Sequence, residues 1–218
     1  FDSFNLTQTY DYNKKGFNIV GRADLTNSKV NISKLNYTKN NGEKSEIIFD
    51  LNFIYNNYYN IKKFLFQADK TNILLSDLKM NKNFEIHDFR KLEVKTFKDK
   101  NKNNDFLIKK NNQVTIFGEI FDAQPLFKSL FKKDDRKTFS KKFSSQVKIN
   151  FDKAITGTND DVRDFGMIAV VNNGSFNKLS LKGNFTKDEI IEMSIYQKDN
   201  NKRTVQVISD RARPFIKN

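Results

Sequence analysis

The chain has 218 residues, long enough for one or two domains that each bury a core. It contains no cysteine and one histidine, His87, which excludes disulfides, thiolate metal sites, the usual histidine-rich zinc sites and histidine-based catalytic triads. Lysine and arginine number 39 against 26 acidic residues, and the net charge of +13 fits either an anionic partner or an ordinary solvated surface.

In the first half of the chain, apolar and polar residues alternate with the period of two that is typical of β-strands. Strands are predicted over residues 17–25, 30–37, 47–55, 61–68, 72–80 and 84–95. The Asn40-Asn41-Gly42 turn predicts a hairpin between the second and the third of these strands. The polar stretch after the last one predicts a long hairpin loop over about 98–105. It is not expected to be a domain boundary, because strand-like sequence resumes at Phe106.

The segment 113–131 changes its period from that of a strand to that of a helix. It begins as a strand, Asp122 is a good N-cap, and the apolar residues after Pro125 recur at helical spacing. A second switch closes the chain, where a strand over 204–209 is followed by Asp210 as another N-cap. Short helices are therefore predicted near 122–131 and 210–217, with a basic loop over about 132–142 after the first. Further strands are predicted over 147–152, 165–171, 179–185, 191–195 and 205–207.

Strands of this kind, joined by Asn, Gly and Asp turns, predict an all-β fold with a long antiparallel meander sheet in a single domain over residues 1–218. About a dozen strands in one sheet have to curl or be covered, and two short helices cannot cover them. Either the sheet closes around an ordinary core, or its apolar face stays open for another molecule. No apolar run approaches the ~20 residues of a transmembrane helix, and no signal peptide is visible. The start at Phe1 without methionine suggests a fragment or a processed product.

Parts of the chain resemble the repeated element of AsmA-like envelope proteins, particularly the YhdP branch. The similar features are two strands with an aromatic residue, a lysine and a glycine turn, then a strand-to-helix step, then a closing turn in which Arg211 and Arg213 replace the usual acid and glycine. The segments concerned are 21–25 with 35–42, 117–126 and 208–216. The resemblance implies a long, curved, open β-sheet groove in the periplasm of a Gram-negative bacterium. It also implies an inner-membrane anchor in parts of the protein outside this chain, and a role in moving phospholipid toward the outer membrane.

Such a groove needs an apolar sheet face without charges, which can hold acyl chains while the lipid headgroup stays in water. Strands in the second half of the chain supply this face, so the predicted function is to bind or conduct phospholipid without any enzyme activity. The lipid-groove candidates are Val147, Ile149, Phe151, Leu179, Leu181, Val205 and Val207. Lys148 and Lys182 are predicted to lie on the opposite face.

The same alternation also fits an ordinary closed core, and the basic loop permits a different partner. Its residues are candidates for contact with lipid headgroups or another anionic surface. They are Lys132, Lys133, Arg136, Lys137, Lys141 and Lys142. The alternative function is therefore a basic β domain that binds nucleic acid or an anionic surface. Asp134 and Asp135 interrupt the basic run and no known nucleic-acid module is present, so no specific nucleic-acid partner is predicted.

Residue patterns that carry chemistry are scarce. His87 and Asp88 are adjacent on a predicted strand, so their side chains point to opposite faces. Asp160, Asp161 and Asp164 lack the spacing of a calcium-binding loop. The serines have no histidine partner in any known motif. The chain is therefore predicted to have no catalytic residue, no cofactor and no metal.

Overall fold

The structure is a computed structural model that describes residues 3–12, 15–54, 58–84, 86–125, 143–157, 161–199 and 202–211. Within these residues there are sixteen strands and one 3-10 turn, Ser33–Leu35. The strands are β1 Phe4–Asp11, β2 Gly16–Asp24, β3 Val30–Ile32, β4 Tyr37–Lys39, β5 Ser45–Ile54, β6 Tyr58–Ala68, β7 Thr71–Asn81, β8 Ile86–Asp88, β9 Lys91–Lys98, β10 Asn101–Lys110, β11 Val114–Asp122, β12 Ser145–Ile155, β13 Val162–Asn172, β14 Ser175–Asn184, β15 Ile190–Asp199 and β16 Lys202–Ser209.

Fourteen strands belong to one sheet, in the order β1-β2-β5-β6-β7-β9-β10-β11-β12-β13-β14-β15-β16, with β8 paired to β7 beside this path. β3 and β4 form a separate two-stranded ribbon. Among the described strands the order has two ends, β1 and β16, so the sheet does not close on itself. The predicted all-β fold with a long, mostly antiparallel sheet is confirmed.

One pair departs from the predicted antiparallel meander. β11 and β12 run parallel, with Val114 beside Val147 and Asp122 beside Ile155. Parallel neighbours need a long crossover connection, and residues 123–144 provide it. At the start of this crossover the Asp122 carboxylate accepts a hydrogen bond of 3.1 Å from the Gln124 N–H, as an N-cap does. The rest of the helix predicted near 122–131 and the whole basic loop over about 132–142 lie outside the described residues.

The long hairpin loop predicted over about 98–105 is wrong. The chain turns within Asp99 and Lys100, and β10 already begins at Asn101. Both turn residues have positive φ angles, 49° and 66°, which is the backbone of a tight two-residue hairpin turn. The polar residues that follow the turn therefore belong to a strand.

Asparagines in β10 are buried because they satisfy backbone and carboxylate groups. The Asn104 side chain donates to the Leu35 carbonyl oxygen at 2.8 Å and accepts from the Asp122 N–H at 3.0 Å. Asn103 donates to the same carbonyl oxygen at 3.1 Å and to the Asp122 carboxylate at 3.3 Å. Asn36 donates to that carboxylate at 2.8 Å. Buried hydrogen bonds of this kind explain why a polar stretch is found in a strand rather than in a loop.

The Asn40-Asn41-Gly42 turn is present, but the hairpin predicted around it is not. β4 pairs with β3, whereas β5 pairs with β2 and β6. The fully buried Lys39 explains the difference, because its ammonium group donates to three carbonyl oxygens of the loop after β2. These belong to Leu25 at 2.6 Å, Thr26 at 2.8 Å and Ser28 at 2.8 Å. The end of β4 is thereby bound to that loop rather than to β5.

The chain divides into two compact units. Unit 1 comprises Phe1–Ser33, Tyr37–Lys102 and Leu107–Lys110, and unit 2 comprises Lys34–Asn36, Asn103–Phe106 and Asn111–Asn218. A single domain over residues 1–218 stays a prediction. In the part of the chain that the structure describes, no helix is both long and apolar enough to cross a membrane.

Unit 1 has one apolar sheet face that extends over six strands. Residues paired side by side across antiparallel strands point to the same face, so the pairing register identifies the rows. The two rows are Phe4, Ala23, Ile47, Phe66, Ile73, Val94 and Leu6, Gly21, Phe49, Phe64, Leu75, Leu92. Gly21 leaves room in this row for the Phe49 ring, because a Cβ at residue 21 would lie only 2.2 Å from that ring. Ala23, Phe66, Ile73 and Val94 are buried, whereas Phe4 and Leu6 in β1 are exposed.

Candidate functional site

The predicted lipid-groove residues of unit 2 share one face of strands β11 to β16. The pairing register arranges this face in two apolar rows, each with one residue from each of the six strands. Ladder A consists of Val114, Val147, Ala169, Leu179, Ile195 and Val205. Ladder B consists of Ile116, Ile149, Met167, Leu181, Met193 and Val207. Six of the seven predicted residues therefore lie in two adjacent rows, and none of the twelve positions is charged.

Exposure along these ladders increases toward the end of the sheet at β16. In ladder A, Val147 is 3% exposed, Leu179 is 8% exposed and Val205 is 55% exposed. In ladder B, Ile149 and Leu181 are half-buried, and Val207 is 46% exposed. The face is thus a core in its middle strands and an accessible apolar surface at β16.

Phe151, the seventh predicted residue, belongs to an aromatic core instead of an accessible row. It is buried, and its ring centroid lies 5.2 Å from that of Phe121, 5.9 Å from that of Phe106 and 6.4 Å from that of Phe165. Phe165 and Leu181 also pack against a buried cluster, which contains Ala154, Val162, Phe185 and Ile191. Apolar packing therefore covers the sheet beside ladder B, over strands β12 to β15.

The opposite face of the same strands is mostly polar. Lys148 and Lys182 are exposed there, as predicted, and so are Ser180 and Gln206. Ile168, Ile208 and Phe117 are apolar exceptions and are exposed. One apolar face and one polar face are typical of an antiparallel sheet in which one face is exposed to solvent.

Half of the ladder residues were not among the candidates predicted from the sequence. Those missing are Val114, Ile116, Met167, Ala169, Met193 and Ile195. The period-two pattern of their strands was visible, but only the pairing register shows that they align with the others. The headgroup candidates Lys132, Lys133, Arg136, Lys137, Lys141 and Lys142 lie outside the described residues.

The turn before β15 and the residues after β16 are joined by a cluster of polar contacts. The Glu189 carboxylate accepts hydrogen bonds from the Arg211 guanidinium at 3.0 Å and from the Thr186 hydroxyl at 3.0 Å, which lower its pKa. The Arg211 guanidinium carbon also lies 5.5 Å from the Phe185 ring centroid. The Asp210 carboxylate accepts from the Ile190 N–H at 2.7 Å. Of the helix predicted near 210–217, only the first two residues are described. Asp210 and Arg211 contact β15 and the turn before it, and Arg211 also has hydrogen bonds with the Ser209 hydroxyl of β16.

Two of the carboxylates considered for catalysis or metal binding, Asp88 and Asp161, are engaged in ion pairs. Lys110 donates to the Asp88 carboxylate at 2.8 Å and lowers its pKa. Asp161 pairs with Lys153 at 2.6 Å. Among the described residues, no three His, Cys, Asp or Glu side chains lie close enough together to hold a metal ion.

No family model matches this chain, and no curated protein or solved structure matches it either. The resemblance to AsmA-like envelope proteins therefore stays a prediction. Function has to be inferred from the side chains that the structure describes.

Proposed function

We propose that this chain is a non-enzymatic segment of a cell-envelope protein that binds phospholipid acyl chains on the apolar face of β11 to β16 and conducts them along it. The observation that carries the proposal is the pair of uncharged ladders, whose outer end is exposed to solvent at Val205 and Val207. An ordinary core would have its apolar residues covered, whereas an acyl chain can cover these two.

The dimensions of the ladders suit an acyl chain. Neighbouring strands are about 4.8 Å apart, so six strands span about 24 Å along each ladder. The hydrocarbon core of a bilayer is about 30 Å thick, so one acyl layer extends about 15 Å. Ladder B, whose residues are all half-buried or exposed, is therefore longer than the depth that one acyl chain occupies in a membrane. Ladder A is buried from β11 to β14 and is accessible only toward β16.

The energetics are also favourable for transfer. Each methylene moved from water to an apolar surface contributes about 0.8 kcal/mol. A lipid that leaves a bilayer for the ladders exchanges one apolar environment for another, so the net change is small. No charged side chain in either ladder has to lose its hydration, because the twelve ladder positions are all uncharged.

The resemblance to AsmA-like proteins supplies the cellular setting of the proposal. Phospholipid is the partner, and the site of action is the periplasm of a Gram-negative bacterium, between inner and outer membranes. The anchor in the inner membrane belongs to parts of the protein outside this chain. Lipid headgroups contact water or the basic segment that contains Lys132 and Lys142.

Native mass spectrometry of the purified chain tests the proposal, with co-purified phospholipid as the expected result. The matched variants are Val205→Asp and Gln206→Asp, which change adjacent exposed residues on opposite faces of β16. Both should keep the β-sheet signal in circular dichroism. Val205→Asp should reduce the retention of phospholipid or of a fluorescent fatty-acyl probe, and Gln206→Asp should leave it unchanged. Wild-type protein that retains neither lipid nor probe would contradict the proposal.

A further inference from the structure

Within the part of the chain that the structure describes, β16 is an edge strand, and one of its two rows of backbone groups has no strand beside it. Among the described strands its one neighbour is β15. The Asp210 N–H donates to the Ile190 carbonyl oxygen at 3.1 Å, so these two residues form a hydrogen-bonded pair. Hydrogen-bonded and non-hydrogen-bonded pairs alternate along an antiparallel ladder, and the register has no irregularity from Ile191 to Gln197. Val205, Val207 and Ser209 therefore turn their N–H and C=O groups away from β15.

After Lys202 and Arg203, β16 lacks the charges, prolines and bulges by which many edge strands avoid pairing with another chain. From Thr204 to Ser209 the sequence TVQVIS contains no charge, no proline and no glycine. The strand is regular over these residues, and Val205, Val207 and Ile208 are 55%, 46% and 48% exposed. An exposed, regular and apolar edge of this kind is suited to pairing with a further strand.

We propose that the partner of this edge is a second copy of the same chain, paired antiparallel through β16 about a two-fold axis at Gln206. The axis places Val205 opposite Val207 of the second copy, and these residues then exchange their outward N–H···O=C hydrogen bonds in both directions. Thr204 meets Ile208 of the second copy on the other face.

The charges at the two ends of β16 complement each other in this register. Lys202 is placed opposite Asp210 of the second copy, and the two-fold axis creates this pair twice. No like charges are opposed between Lys202 and Asp210. β1, the other edge strand, contains one charged residue, Asp11, so a two-fold pairing of β1 with itself creates no pair of opposite charges within the strand. Charge complementarity therefore favours β16 over β1.

Pairing through β16 also joins the apolar rows of the two copies. Val205 ends ladder A and Val207 ends ladder B, so ladder A of each copy continues into ladder B of the other. The dimer does not depend on lipid binding, and its test is made on delipidated protein.

Sedimentation velocity over a range of concentrations, at an ionic strength of about 0.15 M, should show a monomer–dimer equilibrium for the wild-type chain. A monomer at every concentration, or association that continues beyond the dimer, would overturn the proposal. Continued association would indicate head-to-tail pairing of β16 with β1.

Disulfide trapping locates the interface, because the natural chain contains no cysteine. Gln206→Cys places the two new thiols on facing residues of a non-hydrogen-bonded pair, with Cα atoms about 4.5 Å apart, within the range of a disulfide. Oxidation should then yield a covalent dimer. Thr7→Cys, at the centre of exposed β1, is the matched control and should form no covalent dimer on oxidation. Cross-linking of Thr7→Cys without cross-linking of Gln206→Cys would overturn the assignment.

A charge pair at the axis gives an independent test that leaves the fold alone, because the Gln206 side chain is exposed. Gln206→Lys and Gln206→Glu should each weaken dimerisation at least tenfold, since like charges then face each other across the axis. An equimolar mixture of the two variants should restore the dimer. Dimerisation unaffected by either substitution, or a mixture that stays monomeric, would place the interface elsewhere.

Discussion

Lys39 lies in unit 1 with its ammonium group within 2.8 Å of three carbonyl oxygens. Together with Tyr37 and Gly42, it supplies the aromatic residue, lysine and glycine turn that resemble an AsmA-like element. Tyr37 is buried edge-on against Phe66, at 6.0 Å between ring centroids, and burial raises the pKa of its phenol. The Gly42 N–H donates to the Thr26 carbonyl oxygen at 2.9 Å, with a φ of 83° that suits glycine. These three residues therefore have structural roles in this chain.

Replacing Lys39 by methionine should lower the free energy of unfolding by about 3 kcal/mol. Methionine fills much of the space of the lysine stem, but it leaves three carbonyl oxygens without their donor. Urea unfolding followed by circular dichroism measures the difference. Lys29→Met, at an exposed position of the loop after β2 that Lys39 contacts, should change stability by about 0.5 kcal/mol or less. Equal effects of the two variants would contradict the role assigned to Lys39.

The contact between Glu189 and Arg211 should make stability depend on pH. The pKa of Glu189 is lowered from its ordinary value of 4.5 in the folded chain, so the folded state binds fewer protons than the unfolded state. The contact therefore stabilises the fold above pH 4.5, and this stabilisation is lost as the pH falls through the lowered value. Glu189→Gln should be less stable than wild type at pH 7, and the difference should shrink in acid. Arg211→Gln should give the same profile, and the double variant should add little. Strictly additive effects at pH 7 would show that the two residues are not coupled.

At the scale of elements, the strands of unit 2 differ in how far their apolar residues are covered. Leu181 contacts the buried cluster that contains Val162 and Ile191, so a substitution there perturbs packing even if the face is open elsewhere. Val205 in β16 belongs to the same face and is mostly exposed. A comparison of strands is therefore more informative than a single substitution in the middle of the sheet.

Aspartate introduced along ladder A should have a cost that falls toward β16. Leu179→Asp buries a carboxylate without a partner and should lower the free energy of unfolding by about 3 to 5 kcal/mol. Val205→Asp keeps its carboxylate hydrated and should cost about 1 kcal/mol or less. Lys182→Asp, exposed on the opposite face, is the control and should also have a small effect. Urea unfolding measures the stability of all three variants. Similar large losses of stability for Leu179→Asp and Val205→Asp would favour a closed core over an open apolar face.

At the scale of the whole molecule, the net charge of +13 bears on the alternative function. Net positive charge alone gives phosphate affinity that is unselective and falls steeply with salt. Binding to duplex DNA should therefore be detectable only at low salt, and it should be lost when the salt concentration reaches about 0.15 M. Fluorescence anisotropy with two unrelated duplexes measures this. Tight, sequence-selective binding at that salt would favour the nucleic-acid function over the envelope proposal.

The strand faces could be predicted from the sequence, because successive side chains point to opposite sides wherever the backbone is extended. Lys148 and Lys182 are exposed on one face, and Ile149 and Leu181 are half-buried on the other, as the alternation predicts. The tight turn at Asp99 and Lys100 was missed. Its polar neighbours resemble a loop in composition, and their hydrogen-bonding partners are distant in sequence.

Local backbone geometry therefore allowed the sequence alone to determine the all-β class and the two faces of each strand. Only the tertiary structure decided which strands are neighbours, including the parallel pair of β11 and β12. It also decided how far each ladder residue is covered. Val147 and Val205 have the same alternating pattern in the sequence, yet Val147 is 3% exposed and Val205 is 55% exposed. The physical reason is that the period of a strand depends on adjacent residues, whereas burial depends on strands and side chains that are far away along the chain.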